Sequence, residues 1–423
     1  MLTAQRFVEI LRGHERFALG QADGVRAELR NENLSGLRLP GINLSNAVLS
    51  GTDFSGCTLT GTDFSFADLF GANLDRIDAA GATFERADLR GVSMRGAKLR
   101  DTNFRGADLR PGGRRVSRAW SESGKESPAT LQGADLSRAD FEGADLRDAN
   151  ISASNLTAAN LARARTRGTN LRGAVLADVN LAQVDLHEAL VSLAASRLPA
   201  NLQVVLREHA LWVDTFGAEG TRASLRQFDL RGIDLSGTYL SGADLRGCNL
   251  AGANLARAML VLVDLKEANL DGADLRQSDL AGANLNGATL RKTRLGAARL
   301  APIDIMGPDG RKTGQSRVST ADKAVFDDAL LSEANFSQAQ MRESSFARAI
   351  IERAVLHGAD LQGANFEGAR LLQSDLSEAR LEGARMGGAN LQYANLRFAQ
   401  IAGADFANAT LTGADTTGTT LAK

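Results

Sequence analysis

From Leu29 onward, every fifth residue of this chain is apolar: Leu34, Leu39, Leu44, Leu49, Phe54, Leu59, Phe64 and on to Leu109. The same spacing runs from Leu131 to Leu186, from Leu225 to Ile305 and from Phe326 to Leu421. All these centres are Leu, Ile, Met or Phe except Ala79, Thr166 and Thr416. Two positions before a centre stands a small residue, usually Ala, as at Ala67, Ala72, Ala87, Ala134, Ala139 and Ala144. The position before the centre is often Asp or Asn. The two after it are polar, with Gly frequent at the second.

A period of five fits neither the 3.6 of an α-helix nor the 2 of a strand. The centre and the Ala before it have strand-like spacing, so both side chains point inward from one short extended piece. The next two residues must turn the chain, where Gly tolerates conformations that other residues resist. Iteration gives a squared coil with Leu, Phe and Ala inside. The aromatic centres set the size of a turn. Phe64, Phe84 and Phe104 recur every 20 residues, and Phe326, Phe346, Phe366 and Phe406 fall at multiples of 20, with Met386 in the gap. Four repeats per turn would stack these rings as a structural core on one face.

The iterated phrase A-(D/N)-L-x-x resembles the pentapeptide repeat family. The resemblance implies an all-β solenoid, a right-handed quadrilateral β-helix, with coils spaced by about 4.8 Å. In such a fold each repeat touches only its neighbours, and stability is a sum of local terms.

A second symmetry lies above the repeat. Leu11-Arg12-x-His14 matches Leu206-Arg207-x-His209, Phe17 matches Trp212, and Gly24-x-Arg26-Ala27 matches Gly220-x-Arg222-Ala223. Leu29 and Leu225 then open equivalent runs, which end at Leu109 and Ile305. Phe7, Ile10, Leu11, His14 and Phe17 share one helical face, as do Leu202, Val205, Leu206, His209 and Trp212. Short α-helices are therefore predicted at the N-terminus and mid-chain, covering the exposed end of each β-helix. A further short helix is predicted at 188–196. The expected organisation is a capping helix and linker over 1–28, a first β-helix over 29–186 with a loop at 110–130, a helical connector and second cap over 187–224, and a second β-helix over 225–423 with a loop at 306–325. No equivalent cap follows Leu421, so the C-terminal coil is expected to pair with a second copy or another partner.

The chemistry of the chain argues against an enzyme. His14, His187, His209 and His357 lie far from Cys57 and Cys248, so no metal-ligand spacing exists. Both cysteines sit two before a centre and should be buried and inert. His14 and His209 read as packing contacts on apolar helix faces. The recurring Asp residues before centres, such as Asp63, Asp68, Asp88, Asp244 and Asp274, read as turn-bonding side chains. No phosphate loop, nucleophile elbow or dinucleotide fingerprint is present. No cofactor and no metal are expected.

The formal net charge of -1 gives no global case for nucleic acid or an anionic membrane. No stretch of 18 apolar residues occurs, and the N-terminus lacks a classical signal peptide. The cytosol is the expected location, with export by a machine that needs no cleavable signal left open.

The loops carry the remaining functional signal. Arg114, Arg115, Arg118 and Trp120 in the first, and Arg311, Lys312 and Arg317 in the second, are candidate partner-binding residues: basic, with one aromatic anchor. The preferred reading is a non-enzymatic protein–protein interaction scaffold built from a duplicated unit. The resemblance also implies two alternatives. One is a DNA-mimicking modulator of type II topoisomerases, like the quinolone-resistance members of the family. The other is an accessory or adaptor protein of a bacterial secretion system. The charge balance favours the scaffold, because only the run over 326–421 is clearly acidic, with 12 acidic residues against 7 basic.

Overall fold

A computed structural model describes residues 2–112, 127–186, 188–192, 197–307 and 311–420. The chain divides into two compact units, Met1–Leu211 and Trp212–Lys423.

The first unit opens with helix α1, Ala4–Ala18, whose N-cap Thr3 accepts the Arg6 N–H at 3.2 Å. Coils begin at Ala27. Glu28 bridges Val48, Asn33 bridges Asp53, Arg38 bridges Thr58 and Asn43 bridges Asp63, all in parallel. Four ladders therefore climb the stack, and each step is one twenty-residue turn. The bonding rule is simple. The Leu29 N–H donates to Val48 O at 2.9 Å, the Val48 N–H donates back to Ala27 O at 2.9 Å, and the Asn31 N–H donates to Ser50 O at 3.0 Å. Each side of the square holds one bridging residue, so the solenoid is all ladder and almost no extended strand.

The corners explain the polar positions. In most repeats the second residue after the centre lies in the left-handed region, at Gly36 (φ 72°) but also at Asn46 (φ 60°), Phe66 (φ 58°) and Arg76 (φ 58°). A non-Gly residue there costs roughly 1–2 kcal/mol, offset by the backbone bond its N–H makes to the next coil. The residue before the centre often closes the corner: Asp53 Oδ1 accepts the Ser55 N–H at 2.9 Å.

Inside, centres and the small residues before them are buried through most of the stack. Burying each Leu contributes about 1.5–3 kcal/mol. Where a polar atom replaces Ala it finds a backbone carbonyl, either three residues back, as Thr238 Oγ1 to Leu235 O at 2.6 Å, or on the previous coil. Thr102 Oγ1 donates to Ala79 O at 3.1 Å, Thr169 Oγ1 to Leu146 O at 2.8 Å, and Cys57 Sγ to Leu34 O at 3.0 Å.

The stretch 188–196 differs from expectation. Glu188–Ser192 is not helical: Leu190 bridges Asn170, and the Leu171 N–H donates to Leu190 O at 2.9 Å. The five-residue spacing outlasts Leu186 and places Val191 on the next centre, so coil bonding wins over helix propensity. Residues 193–196 lie outside the described residues. A 3-10 turn, Leu181–Gln183, sits within the last coils. Helix α2, Ala200–Asp214, follows and buries Leu202, Leu206, His209 and Ala210.

In the second unit, bridges run from Ser224–Asp244 to Asn395–Asp415. Two expectations fail here. Ile305 is not a core centre, and 306–325 is not a plain loop. Strand β1, Ile303–Met306, pairs antiparallel with β2, Lys312–Arg317. The coil leaves at Leu300 and resumes at Thr320, which bridges Asn284. Ala321, not Phe326, is the first centre after the break: it is buried, and its N–H donates to Gln340 O at 2.7 Å. The third run therefore closes one repeat earlier inside the core than sequence spacing suggested. A small Ala at a position usually held by Leu hid the register.

The candidate interaction hairpin and its surroundings

Hairpin β1–β2 is anchored at its base. Ser319 is buried; its Oγ donates to Leu280 O at 3.1 Å and accepts the Gly282 N–H at 2.9 Å. A Cβ on Gly282 would meet Leu262 Cδ2 at 2.8 Å and Ile303 Cγ2 at 2.9 Å, so the hairpin root packs closely on a coil corner. Above the root, Ile303 pairs with Arg317, Asp304 with Ser316 and Met306 with Lys312, with an irregularity between Asp304 and Met306. Thr313 Oγ1 donates to Ile305 O at 2.9 Å. Every residue of β2 is exposed, and Met306 is 47% exposed.

The basic character of this element is partly satisfied within it. Lys312 Nζ lies 2.6 Å from Asp304 Oδ2, and that carboxylate holds the ammonium above its ordinary range. Arg311 and Arg317 are exposed, Arg317 at the end of β2 nearest the coil. The hairpin thus offers a polar, hydrogen-bonded ribbon whose exposed large apolar side chain is Met306, rather than a bare cationic patch.

At the first break, Gly112 and Ser127 form an antiparallel bridge, with N–H···O distances of 2.9 and 3.0 Å. Arg114, Arg115, Arg118 and Trp120 lie outside the described residues. Arg110, at the edge of the expected loop, belongs to the coil. Its Nε and Nη2 donate to the two oxygens of Asp108 at 2.9 and 2.7 Å.

This pair is one rung of a ladder that sequence reasoning missed. Arg90 grips Asp88 and Arg147 grips Asp145 in the same two-bond fashion. Arg110 Nε also lies 3.7 Å from Asp145. The signal was the recurring D-L-R triplet, since residues on either side of a centre share one outer face. Burial works to raise the Asp108 and Asp145 carboxyls, but hydrogen bonds from Arg110 and Arg147 outweigh it and hold both below the usual range.

The aromatic centres form columns. Phe64, Phe84 and Phe104 stack with centroid distances of 4.8 and 5.2 Å, and Phe326, Phe346 and Phe366 with 4.8 and 4.9 Å. Phe141, not singled out in the sequence, continues the first column. Phe406 departs from the expected core: it is only half-buried, because no further coil covers it among the described residues. Burial pushes the Cys57 and Cys248 thiols up. No group of three His, Cys, Asp or Glu side chains that could hold a metal occurs among the described residues, and no helix there is long and apolar enough to cross a membrane.

A family model for pentapeptide repeats matches residues 27–65, 67–106, 129–161, 154–192, 221–257, 258–296, 319–348, 354–392 and 389–422. The chain belongs to the pentapeptide repeat family. The matched segments stop at both breaks and resume at the coils, leaving out hairpin β1–β2. No curated protein matches the chain significantly. Among solved structures, this pentapeptide repeat protein is similar to one from the Arabidopsis thaliana thylakoid lumen, with 38% identity over 21% of this chain and a TM-score of 0.21. The chain spans 62% of that protein's length. It is also similar to HetL, a protein involved in heterocyst differentiation regulation in the cyanobacterium Nostoc sp. strain PCC 7120. There the identity is 24%, over 66% of this chain and 88% of HetL, with a TM-score of 0.19. Full-length QnrB1, a plasmid-mediated fluoroquinolone resistance protein, matches at 19% identity over 46% of this chain and 91% of its own, with a TM-score of 0.20.

Proposed function

We propose that this pentapeptide repeat protein is a non-enzymatic interaction scaffold of the cytosol, a right-handed quadrilateral coil that presents projecting elements to a protein partner. The observation that carries the reading is hairpin β1–β2: a ribbon exposed along the whole of β2 and rooted in the coil by the buried Ser319. The paired outer faces support it over DNA mimicry. Even in the acidic fourth run, Asp360 is met by Arg342 and Arg380, Asp328 by Arg348 and Glu367 by Arg385.

The test excises the hairpin without breaking the coil. Removing residues 302–317 restores a five-residue step from Leu300 to Ala321. Val318→Gly is added because residue 318 then falls on the left-handed corner. Quantitative cross-linking in the native host should capture partners with the full chain and lose them with the excised one. Equal capture of the same partners by both would overturn the docking role. Inhibition of gyrase supercoiling by both forms would instead favour the topoisomerase reading.

A second observation favours self-association. Burial fades from Leu396, fully buried, through Ile401 at 8% to the half-buried Phe406 and Leu411. In the first unit, α1 lies over the opening coil, which prevents end-to-end stacking there. Two such partly exposed coils meeting face to face would close as a symmetric dimer. Sedimentation of the full chain and of Phe406→Asp reads this directly. A monomer at all concentrations would exclude it.

A further inference from the structure

The contact between α1 and the first coil turns on one ring. His14 is fully buried, and its Nδ1 accepts the N–H of Ala27, itself fully buried, at 3.0 Å. An accepting Nδ1 places the proton of the neutral ring on Nε2, which is buried without a hydrogen-bond partner. Few other polar ties hold the helix here: the Val25 N–H donates to Gly13 O at 2.9 Å. Phe7 is buried against the core, with Leu2, Ile10 and Leu11 packed beside it.

We propose that α1 is an acid-released cap, with His14 as its latch. A proton on Nδ1 turns the acceptor into a donor facing a donor. The Ala27 N–H then loses its partner inside the protein, and a cation is left in an apolar seam. The groups around the ring do not rescue that charge. Arg26, preceding Ala27 on the coil side, is itself positive. On the helix side Arg16 is paired with Asp23 at 2.9 Å, and Phe17 stacks on the imidazole at 5.6 Å. The Ser45 carbonyl favours the protonated ring. Burial first, and Arg26 after it, outweigh that carbonyl and hold His14 below its ordinary value of 6.5.

The sign follows. The released helix binds the proton more tightly than the docked one, so docking is at full strength above pH 6.5 and weakens as pH falls below it. Release would uncover the lower edge of the coil formed by residues 27–49, while higher coils stay protected by their neighbours.

Hydrogen exchange on the full chain, corrected for intrinsic rates, tests this at pH 7.5 and pH 5. Residues 4–18 and 27–49 should lose protection by about tenfold or more at pH 5, while residues 60–100 keep theirs. In His14→Asn, the Oδ1 replaces the Nδ1 acceptor and cannot titrate, so protection should persist at both values. Unchanged protection in the parent chain would overturn the proposal. So would loss at pH 5 in His14→Asn equal to that of the parent. If His14→Asn does not dock its helix at either pH, the imidazole titration of the parent decides by NMR: release must share its midpoint with the His14 ring, and a separate midpoint refutes the latch.

Discussion

The Phe104 ring lies 4.8 Å from the Phe141 ring and within 3° of parallel, although the whole first insertion falls between them in the chain. The Leu109 N–H likewise still donates to Asp145 O, at 2.8 Å. The coil therefore breaks off at a corner and resumes on the same column. Stacked centres, rather than chain continuity, hold the register.

Column depth should then set the cost of losing a ring. Phe84→Ala, with aromatic neighbours on both sides, should destabilise its unit by about 3–5 kcal/mol. Phe406→Ala, half-buried in the coil of residues 401–418, should cost about half as much. Urea unfolding followed by circular dichroism compares the two, and equal midpoint shifts would contradict the column picture.

The repeat, the four-sided turn and both helices were legible because each rests on a periodic pattern repeated many times. What escaped was local. Ala321 fills a centre with a residue the pattern reserves for the position two before. Leu190 continues a ladder inside a stretch whose composition reads as helix. Hairpin β1–β2 hid behind Ile305, an apolar residue on the five-residue spacing that lies in β1, at the irregularity between Asp304 and Met306, instead of in the core. The Asp–Arg ladder was missed because its partners bracket a centre, a relation visible only once the centre is known to point away from both. The candidate basic residues divide likewise: Lys312 is matched by Asp304, a partner from the opposite strand that spacing alone does not reveal.

Excision of 302–317 with Val318→Gly should leave the second unit folded and about as stable as the parent, within roughly 1 kcal/mol. Shortening the connection recovers loop-closure entropy, and what is lost is the packing of Ile303 on Gly282 and Leu262. A cooperative melt at the parental temperature is the expected result. Loss of the melt would mean that the hairpin is part of the core.

Charge pairing on the outer face should be worth little individually, and only above the acid range. Arg276 Nε and Nη2 bind the Asp274 carboxylate, and those bonds hold its carboxyl below the ordinary 3.8. A depressed carboxyl contributes stability that is complete above its unfolded pKa and is lost as pH falls through the folded one. Arg276→Ala should therefore lower the urea midpoint only slightly at pH 7. The difference in urea midpoint between parent and variant should narrow as pH falls below 3.8. A difference that does not narrow would point to packing of the Arg276 stem instead.

Two corner glycines separate conformational strain from close approach. Gly61 has φ 65° with nothing within 4 Å of an added Cβ, whereas Gly173 has φ 68° and its Cβ would meet Ala210 Cβ of α2 at 2.4 Å. Gly61→Ala should cost only the left-handed penalty of about 1 kcal/mol. Gly173→Ala carries the same penalty and must also push α2 off the coil, for a total of about 2–4 kcal/mol. Hydrogen exchange over residues 200–214 discriminates the mechanisms: protection there should fall in Gly173→Ala and stay at the parental level in Gly61→Ala. If α2 keeps its protection in both, the helix is held by something other than its seat on this corner.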